Sequence, residues 1–586
     1  MVMVVTQKKI WSSCEIDEAR CSDLSREANC SPQVAALLLS RGIDSGEKAQ
    51  RFLHPRLVHL LDPGVLPEID KAAERINSAI AQNESICVFG DYDVDGVTST
   101  CLLLNFFQQV GKEVAYRLPD RFKGGYGLNC DMIKELAGDG IQLLITVDNG
   151  SSSQAEIALA AELGMDVVVC DHHQPSKDLP NPIAHVNPWL SDDENAFKDL
   201  AGVGVTYKLV WELCRCFTRQ KKLSEEFSNF MRECLGLAAL GTIADVVPLH
   251  GENRILAKFG LQKLRESRKP GISKLVNAAL KRDASRDHLT SEDVGFSIGP
   301  KINAAGRLSK ADYALRLLIA EDNDQADELI QVLDRENNKR KKISAEIFED
   351  VCNRIETAYD LDKEKVIVLG DEAWHPGVLG IVASRVVEKY YRPAFLFSIE
   401  KGTAKGSARS IKGVEMCDAL TECGDLFERF GGHAMAAGGT LQAEKLDALR
   451  AALNEIIDLD PSVMVPEIEF DCQLELEEID NTLLSEIARL EPFGAGNSEP
   501  LFATMDLEIV GSPKLMGKDG RHISFHVRKK ARGKTALRAV AFFMGDRCEE
   551  ISRGNRISLL YRPRINSWRG KSKIELHIKD LLVHES

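Results

Sequence analysis

The chain has 586 residues, several times the size of an ordinary domain, with 44% apolar and 28% charged residues and a net charge of -15. That length implies three or four separately cored domains, and the apolar-to-charged balance excludes a disordered or fibrous chain. The negative charge argues against a protein that holds nucleic acid over its whole surface, because Lys and Arg supply the counterion release that drives such binding.

The amino terminus, Met1 to Trp11, has a short apolar start followed by Gln7, Lys8 and Lys9, without the apolar stretch or cleavage site of a signal peptide. No run reaches the length needed to cross a bilayer. The fifteen cysteines are scattered and contain no Cys-x-x-Cys pair, a pattern of reduced thiols without a zinc site. The expectation is a cytoplasmic protein that makes no membrane contact.

Residues 1–70 read as a helical lead-in, with apolar positions Val34, Leu37 and Leu38, followed by a stretch punctuated by Pro55, Pro63 and Pro67. Residues 71–265 carry short apolar runs, Ile86 to Phe89, Leu143 to Val147 and Val167 to Cys170, separated by helical stretches. Continuous apolar strands spaced by helices predict a parallel sheet covered on both faces.

A helical connector is predicted over 266–360, where Ile343, Ile347, Val351 and Ile355 repeat every four residues along a charged helix. A second α/β unit over 361–460 opens with a strand at Val366 to Leu369, a helix around Val378 to Val387 and a strand at Ala394 to Ser398. Over 461–586 the period becomes two, as in Ile523, Phe525, Val527 and Ile574, Leu576, Ile578, which predicts a small antiparallel barrel of OB type. This last section is also basic, with Arg528, Lys529, Arg538, Arg556, Arg562 and Arg564 among its cations. A charge run is usually a solvated face, but a local excess on a barrel pattern favours nucleic acid.

Each of the three strands in the first α/β unit ends in a polar cluster: Asp91-Tyr92-Asp93-Val94-Asp95-Gly96, Asp148-Asn149-Gly150 and Asp171-His172-His173. Ligands of open parallel sheets bind at the carboxyl ends of strands, so the clusters are expected to share one crevice. Asp245 interrupts an otherwise apolar helical segment, Gly241 to Pro248. A single Asp-Gly after a strand is ordinary turn chemistry; three polar clusters in succession, each at a strand end, are not explained that way. Carboxylates so crowded require compensating cations. Mixed carboxylate and imidazole ligands suit manganese or magnesium better than zinc, and two such ions can activate water for in-line attack on phosphorus.

These clusters resemble, in order, the four motifs of the DHH phosphoesterase family, through Asp91 to Gly96, Asp148 to Gly150, Asp171 to His173 and Gly241 to Leu249. Downstream, His375-Pro376-Gly377, Ser384-Arg385, Ser407-Ala408-Arg409-Ser410 and Gly431-Gly432-His433 resemble the DHH-associated domain. Over nearly its whole length the chain looks like the RecJ nucleases of that family, with further likeness at Arg121 to Gly127, Asn303 to Arg307 and Glu491 to Gly494; Ser498 departs from the proline usual there. The fold this implies is a multidomain α/β protein: a parallel-sheet DHH domain and a DHH-associated α/β domain joined by a long helix, plus a C-terminal OB-like β-barrel.

Carried over residue by residue, the resemblance implies that Asp93, Asp95, Asp148, His172 and Asp245 hold two divalent ions, Mn2+ or Mg2+, with Asp148 bridging. His173 would contact the scissile phosphate, and Asp91 would orient the site from its periphery. Arg121, Ser407 and Arg409 would bind a terminal 5' phosphate, Tyr126 would stack on a base, and Arg307 and His433 would hold neighbouring phosphates. Each of these binding residues also has an ordinary structural reading, Tyr126 as a core aromatic and Arg307 as a helix-end ion pair.

The implied activity is 5'-to-3' hydrolysis of single-stranded DNA to mononucleotides in DNA repair and recombination. A monomer acting beside single-strand-binding protein or a repair helicase is the expected context. Three alternatives stand beside it: a smaller-substrate oligonucleotide or cyclic-dinucleotide hydrolase, a non-catalytic replication or repair scaffold, and a haloacid-dehalogenase-type phosphatase with Asp93 as nucleophile.

Overall fold

The computed structural model describes residues 3–5, 9–13, 15–119, 127–193, 196–280, 288–361, 363–457, 464–529, 536–553, 556–568 and 571–584. Five strands, β1 (Ile86–Phe89), β2 (Ala115–Arg117), β3 (Leu143–Val147), β4 (Asp166–Cys170) and β5 (Ala184–Val186), form an all-parallel sheet in the order β2-β1-β3-β4-β5. Side chains alternate across it. Val88, Ile145 and Val168 face one helical layer, while Phe89, Leu144 and Val169 face the other, which is why the strands are apolar throughout. Chain order reverses between β1 and β3, a switch point that opens a crevice beyond their carboxyl ends.

Three helices close over that crevice: α1 (Val94–Gln109), α2 (Gly202–Thr218) and α3 (Glu225–Ala244). The connector continues through a single π-helical turn, Val294–Ile298, into α4 (Gly299–Leu308) and then α5 (Asn323–Ala358). At 36 residues, α5 is about 54 Å long at 1.5 Å per residue. Its first half buries Ala326, Leu329 and Leu333 in the core of the first domain. Its second half buries Ile347, Val351 and Ile355 in a different core. One rigid helix therefore spaces two domains, and the four-residue repeat read in the sequence is its second contact face.

The second domain is a five-stranded sheet of β6 (Ile367–Asp371), β7 (Ala394–Glu400), β8 (Thr403–Arg409), β9 (Arg429–His433) and β10 (Ala436–Gln442), in the order β9-β10-β8-β7-β6. Only β6 and β7 pair in parallel; a helix, α6 (Leu379–Tyr390), makes that crossover.

In the C-terminal region, strands Phe502–Met516, His522–Lys529, Ala536–Ala541, Lys571–His584 and Arg556–Trp568 are joined in that order, and Phe502–Met516 pairs again with Arg556–Trp568, closing a barrel. Ile523, Phe525 and Val527 point inward, as their period of two requires.

The lead-in adds two strands to the expected helices. It opens with strands Met3–Val5 and Ile10–Ser13, and the latter pairs in parallel with Glu467–Phe470. Trp11 is fully buried and donates Nε1–H to Asp580 at 2.8 Å. Helices Glu18–Ala28, Pro32–Ser40 and Gly46–Leu53 put Leu24, Leu37 and Phe52 into the same core as barrel residues Phe525 and Tyr561. A four-residue strand whose partner lies more than 400 residues away has no local signature, so local periodicity could not show it.

Arg254 ties this composite unit to the first domain. Its buried guanidinium donates to the backbone oxygens of Phe52 (3.0 Å), Leu490 (2.7 Å), Arg489 (3.0 Å) and Glu491 (2.9 Å), and its face lies 3.8 Å from the Phe52 ring centroid. Ser498, the departure from the family pattern, sits nearby and accepts a 2.7 Å bond from Arg41. Replacing Arg254 with Ala takes the guanidinium donor from four carbonyls, of which Leu490 O keeps a 2.8 Å bond from Asn497 Nδ2. The expected loss is about 3 kcal/mol, read as a lower urea midpoint together with faster proteolysis between the lead-in and the barrel; an unchanged midpoint would contradict the role.

Candidate metal centre and phosphate pocket

Asp93 caps α1, with Oδ1 accepting from the N–H of Asp95 (2.9 Å) and Gly96 (3.1 Å), as short acidic side chains do at helix starts. Asp95, one residue into the helix, is buried and accepts from the N–H of Gly202 (2.6 Å) and Val203 (2.8 Å) at the start of α2. A helix N-terminus thus holds each carboxylate before any ion binds. Asp148 follows β3 with φ +61, a conformation that is rare outside glycine, and its N–H donates to Cys170 O at 3.0 Å. Gly202 packs against it so closely that an added Cβ would lie 2.7 Å from Asp148 Oδ1.

Asp171 follows β4 and organises the two histidines. Its Oδ1 accepts from the N–H of His172 (2.8 Å) and His173 (3.2 Å) and from His173 Nδ1 (2.8 Å), while Oδ2 accepts from Ser151 N–H (2.9 Å). His172 Nε2 then faces Asp148 Oδ1 at 3.2 Å, Asp245 at 3.7 Å and Asp95 at 3.8 Å. Asp245 is the C-cap of α3.

Three ligand sets lie within 4.8 Å: Asp91, Asp93 and Asp148; Asp95, His172 and Asp245; and Asp148, His172 and His173. They overlap at Asp148 and His172. Every metal-site residue expected from the sequence is therefore brought to one crevice, and Asp91, expected at its periphery, lies in the group with Asp93 and Asp148. The donors fit a hard divalent ion, being carboxylate oxygens with one or two imidazoles. Among the described residues, Asp148 Oδ1 and His172 Nε2 are buried without a hydrogen-bond partner, and a cation would satisfy both.

The charges lead to the same conclusion. Burial, then Asp245 and Asp93, push the Asp95 carboxyl well above its ordinary range; burial, then Asp95, Asp93 and Asp91, do the same to Asp148. Burial and Asp93 raise Asp245 to about 6. For His172, burial and the adjacent His173 pull the imidazole down to about 4, which keeps it neutral. Burial opposes charge on His173 too, but its hydrogen bond to Asp171 and the surrounding carboxylates raise it to about 9.

Asp171, absent from the predicted site residues although it opens the Asp-His-His tripeptide, is the group that separates the two imidazoles. The phosphatase alternative loses its ground, because Asp93 Oδ1 is engaged as a helix cap and Asp171 to His173 belong to the same cluster.

In the second domain, Ser407 and Arg409 lie on one face of β8, with Arg409 Nη1 3.2 Å from Ser407 Oγ. Both abut the first turn of α6. A Cβ built on Gly380 would lie 2.9 Å from Arg409 Nη2 and 3.0 Å from Ser407 Oγ. His433 is exposed at the end of β9, in register with Arg409 across Ala436. Arg307, at the end of α4, reaches 3.5 Å from Gly377 O in the turn before α6. Arg121 and Tyr126 lie outside the described residues.

The basic C-terminal section is less free than its sequence suggests. Arg562 and Arg564 pair with Glu499 at 3.2 and 2.6 Å, Arg528 with Glu508 at 3.0 Å, and Arg538 with Glu575 at 2.7 Å.

Parallel strands ending in clustered carboxylates and imidazoles, with a cation-bearing second domain beyond α4, define a DHH-class protein. Family models match accordingly: the DHH family N-terminal domain over residues 85–242, the DHHA1 domain over 363–458 and the RecJ OB domain over 470–580. The chain is 38% identical to the single-stranded-DNA-specific exonuclease RecJ of Bacillus subtilis, over 99% of its own length and 72% of that protein's. It is 34% identical to the protein of the same name from Escherichia coli, covering 97% and 98%. The crystal structure of RecJ in complex with Mn2+ from Thermus thermophilus superimposes with a TM-score of 0.81 at 31% identity, covering 98% of this chain and 80% of that one. The chain belongs to the RecJ family.

The raised carboxyls set a pH dependence. A raised folded-state pKa means stability that is present at low pH and is lost as pH climbs through the folded value, about 6 for Asp245. Mn2+ competes with those protons. The gain in Tm on adding Mn2+ should therefore grow from about pH 5 to about pH 8; a gain independent of pH would contradict the crowding of carboxylates.

Proposed function

We propose that this protein is a metal-dependent exonuclease that hydrolyses single-stranded DNA from its 5' end to mononucleotides in DNA repair and recombination. The observation that carries the reading is the convergence of Asp91, Asp93, Asp95, Asp148, His172 and Asp245 in one crevice, on a chain of RecJ family length. Two divalent ions, Mn2+ or Mg2+, supply Lewis acidity and activate the attacking water when bound. Asp93, Asp95, Asp148, His172 and Asp245 would hold them, Asp148 being common to two of the ligand groups, with Asp91 at the edge.

His173, held by Asp171 and protonated at neutral pH, offers Nε2–H to the scissile phosphate. Ser407, Arg409 and the first turn of α6 take the terminal 5' phosphate, combining a guanidinium fork with helix N–H groups. Arg121 is assigned to the same pocket, Tyr126 to base stacking, and Arg307 and His433 to the phosphates that follow. The domain scheme is a lead-in at 1–70, a catalytic domain at 71–265, a connector at 266–360, an associated domain at 361–460 and a nucleic-acid-binding barrel at 461–586. We place the protein in the cytoplasm as a monomer, working on strands exposed by a repair helicase or covered by single-strand-binding protein. Among the described residues, no helix is long and apolar enough to cross a membrane.

The test uses a 5'-phosphorylated single strand labelled separately at each end, with a duplex control. The wild type should release the 5' label first, from single strands only, and Asp148→Ala should lower turnover by about 1,000-fold or more. Arg409→Ala should raise KM about 10- to 100-fold for the phosphorylated strand and far less for a 5'-hydroxyl strand. Cleavage of dinucleotides alone would replace this reading with a small-substrate hydrolase, and cleavage of neither would favour a scaffold.

A further inference from the structure

The peptide between Asp93 and Asp95 is held from outside its own domain layer. The first four N–H groups of a helix have no partner within it. In α1, Asp93 Oδ1 serves those of Asp95 and Gly96, leaving the N–H of Val94. That N–H donates at 3.1 Å to Asn303 Oδ1, on α4. That bond fixes the plane of the Asp93–Val94 peptide, the link between the capping Asp93 and the residue that precedes Asp95.

Further contacts keep α4 on the same loops. A Cβ on Gly306 would lie 2.7 Å from Tyr92 O, and one on Gly299 would touch Ala244 at 3.6 Å and Val94 at 3.8 Å. The helix thus rests on the Asp91 to Asp95 loop at two points and on the residue preceding Asp245. One turn beyond Asn303, on the same face, Arg307 approaches Gly377 of the second domain.

We propose that Asn303 is a positioning residue for the metal centre: its side-chain oxygen orients the Asp93-Val94-Asp95 backbone, and α4 links that loop to the second domain. The inference rests on the reading of Asp93 and Asp95 as metal ligands. Asn303 acts through the peptide, by accepting from Val94 N–H.

Groups that orient metal ligands through a hydrogen bond typically affect metal affinity or activity by about 10- to 100-fold. The test is Mn2+ binding to the full chain by titration calorimetry, with Asn303→Ala, Asn303→Asp and Asp93→Ala beside the wild type, plus the Kd for a long single strand in EDTA. Asn303→Ala should weaken Mn2+ binding about 10-fold and lower kcat, with KM, metal-free DNA affinity and Tm without Mn2+ close to wild type. Asn303→Asp, which keeps an acceptor at the same reach, should recover Mn2+ affinity to within about two-fold.

Unchanged Mn2+ affinity in Asn303→Ala, while Asp93→Ala loses it, would overturn the positioning role alone. Failure of Asn303→Asp to recover would overturn the acceptor role. Unchanged affinity in Asp93→Ala would overturn the ligand assignment and this inference with it.

Discussion

Several carboxylates pressed together in a protein interior repel one another, and the first domain is built around containing that repulsion. Two strand ends and one helix end deliver Asp91, Asp93, Asp95, Asp148 and Asp245 to a crevice in which Asp91, Asp95 and Asp148 are buried. The backbone answers with N–H groups. The start of α1 is aimed at Asp93, the start of α2 at Asp95, and the loops around Ser151 and His172 at Asp171. These donors fix where the oxygens sit without neutralising them, so the remaining deficit of positive charge is left for cations to fill.

The histidine pair shows how one anchored carboxylate can divide roles between neighbours. Asp171 is buried, and although burial opposes its charge, the His173 hydrogen bond and the backbone donors keep it ionised. That charge makes His173 an imidazolium, while burial and the neighbouring His173 charge keep His172 neutral, with Nε2 among the metal-facing oxygens. A neutral imidazole can ligate an ion, whereas a protonated one can stabilise a phosphate; two adjacent residues of one type are separated by a single hydrogen bond.

The remaining architecture joins the second domain to this centre through α4. Helix α5 belongs to two cores and keeps them apart by a fixed length, α4 rests on the metal-bearing loops and ends against the turn before α6, and Arg254 fastens the lead-in and barrel to the first domain. The net charge of the whole chain is therefore a poor guide to where DNA can lie. The start of α6, Ser407 and Arg409 converge, which is where the proposed reading places the terminal phosphate, while several barrel arginines are already paired with glutamates.

Much of this was legible along the chain because its causes are local. Apolar runs of four or five residues specify buried parallel strands, a polar cluster after each marks its carboxyl end, and a period of two marks the barrel strands, so the ligands from Asp91 to His173 and Asp245 could be named from spacing and family likeness. What only the tertiary structure decided arises between distant segments. The lead-in shares a core with the barrel and begins with a strand paired to Glu467–Phe470; the basic run finds its acids at Glu499 and Glu508; Asn303 reaches a backbone N–H more than 200 residues away. Local sequence records how a segment prefers to fold and which groups it carries, but a hydrogen bond between distant residues depends on how whole helices pack, and no periodicity encodes that.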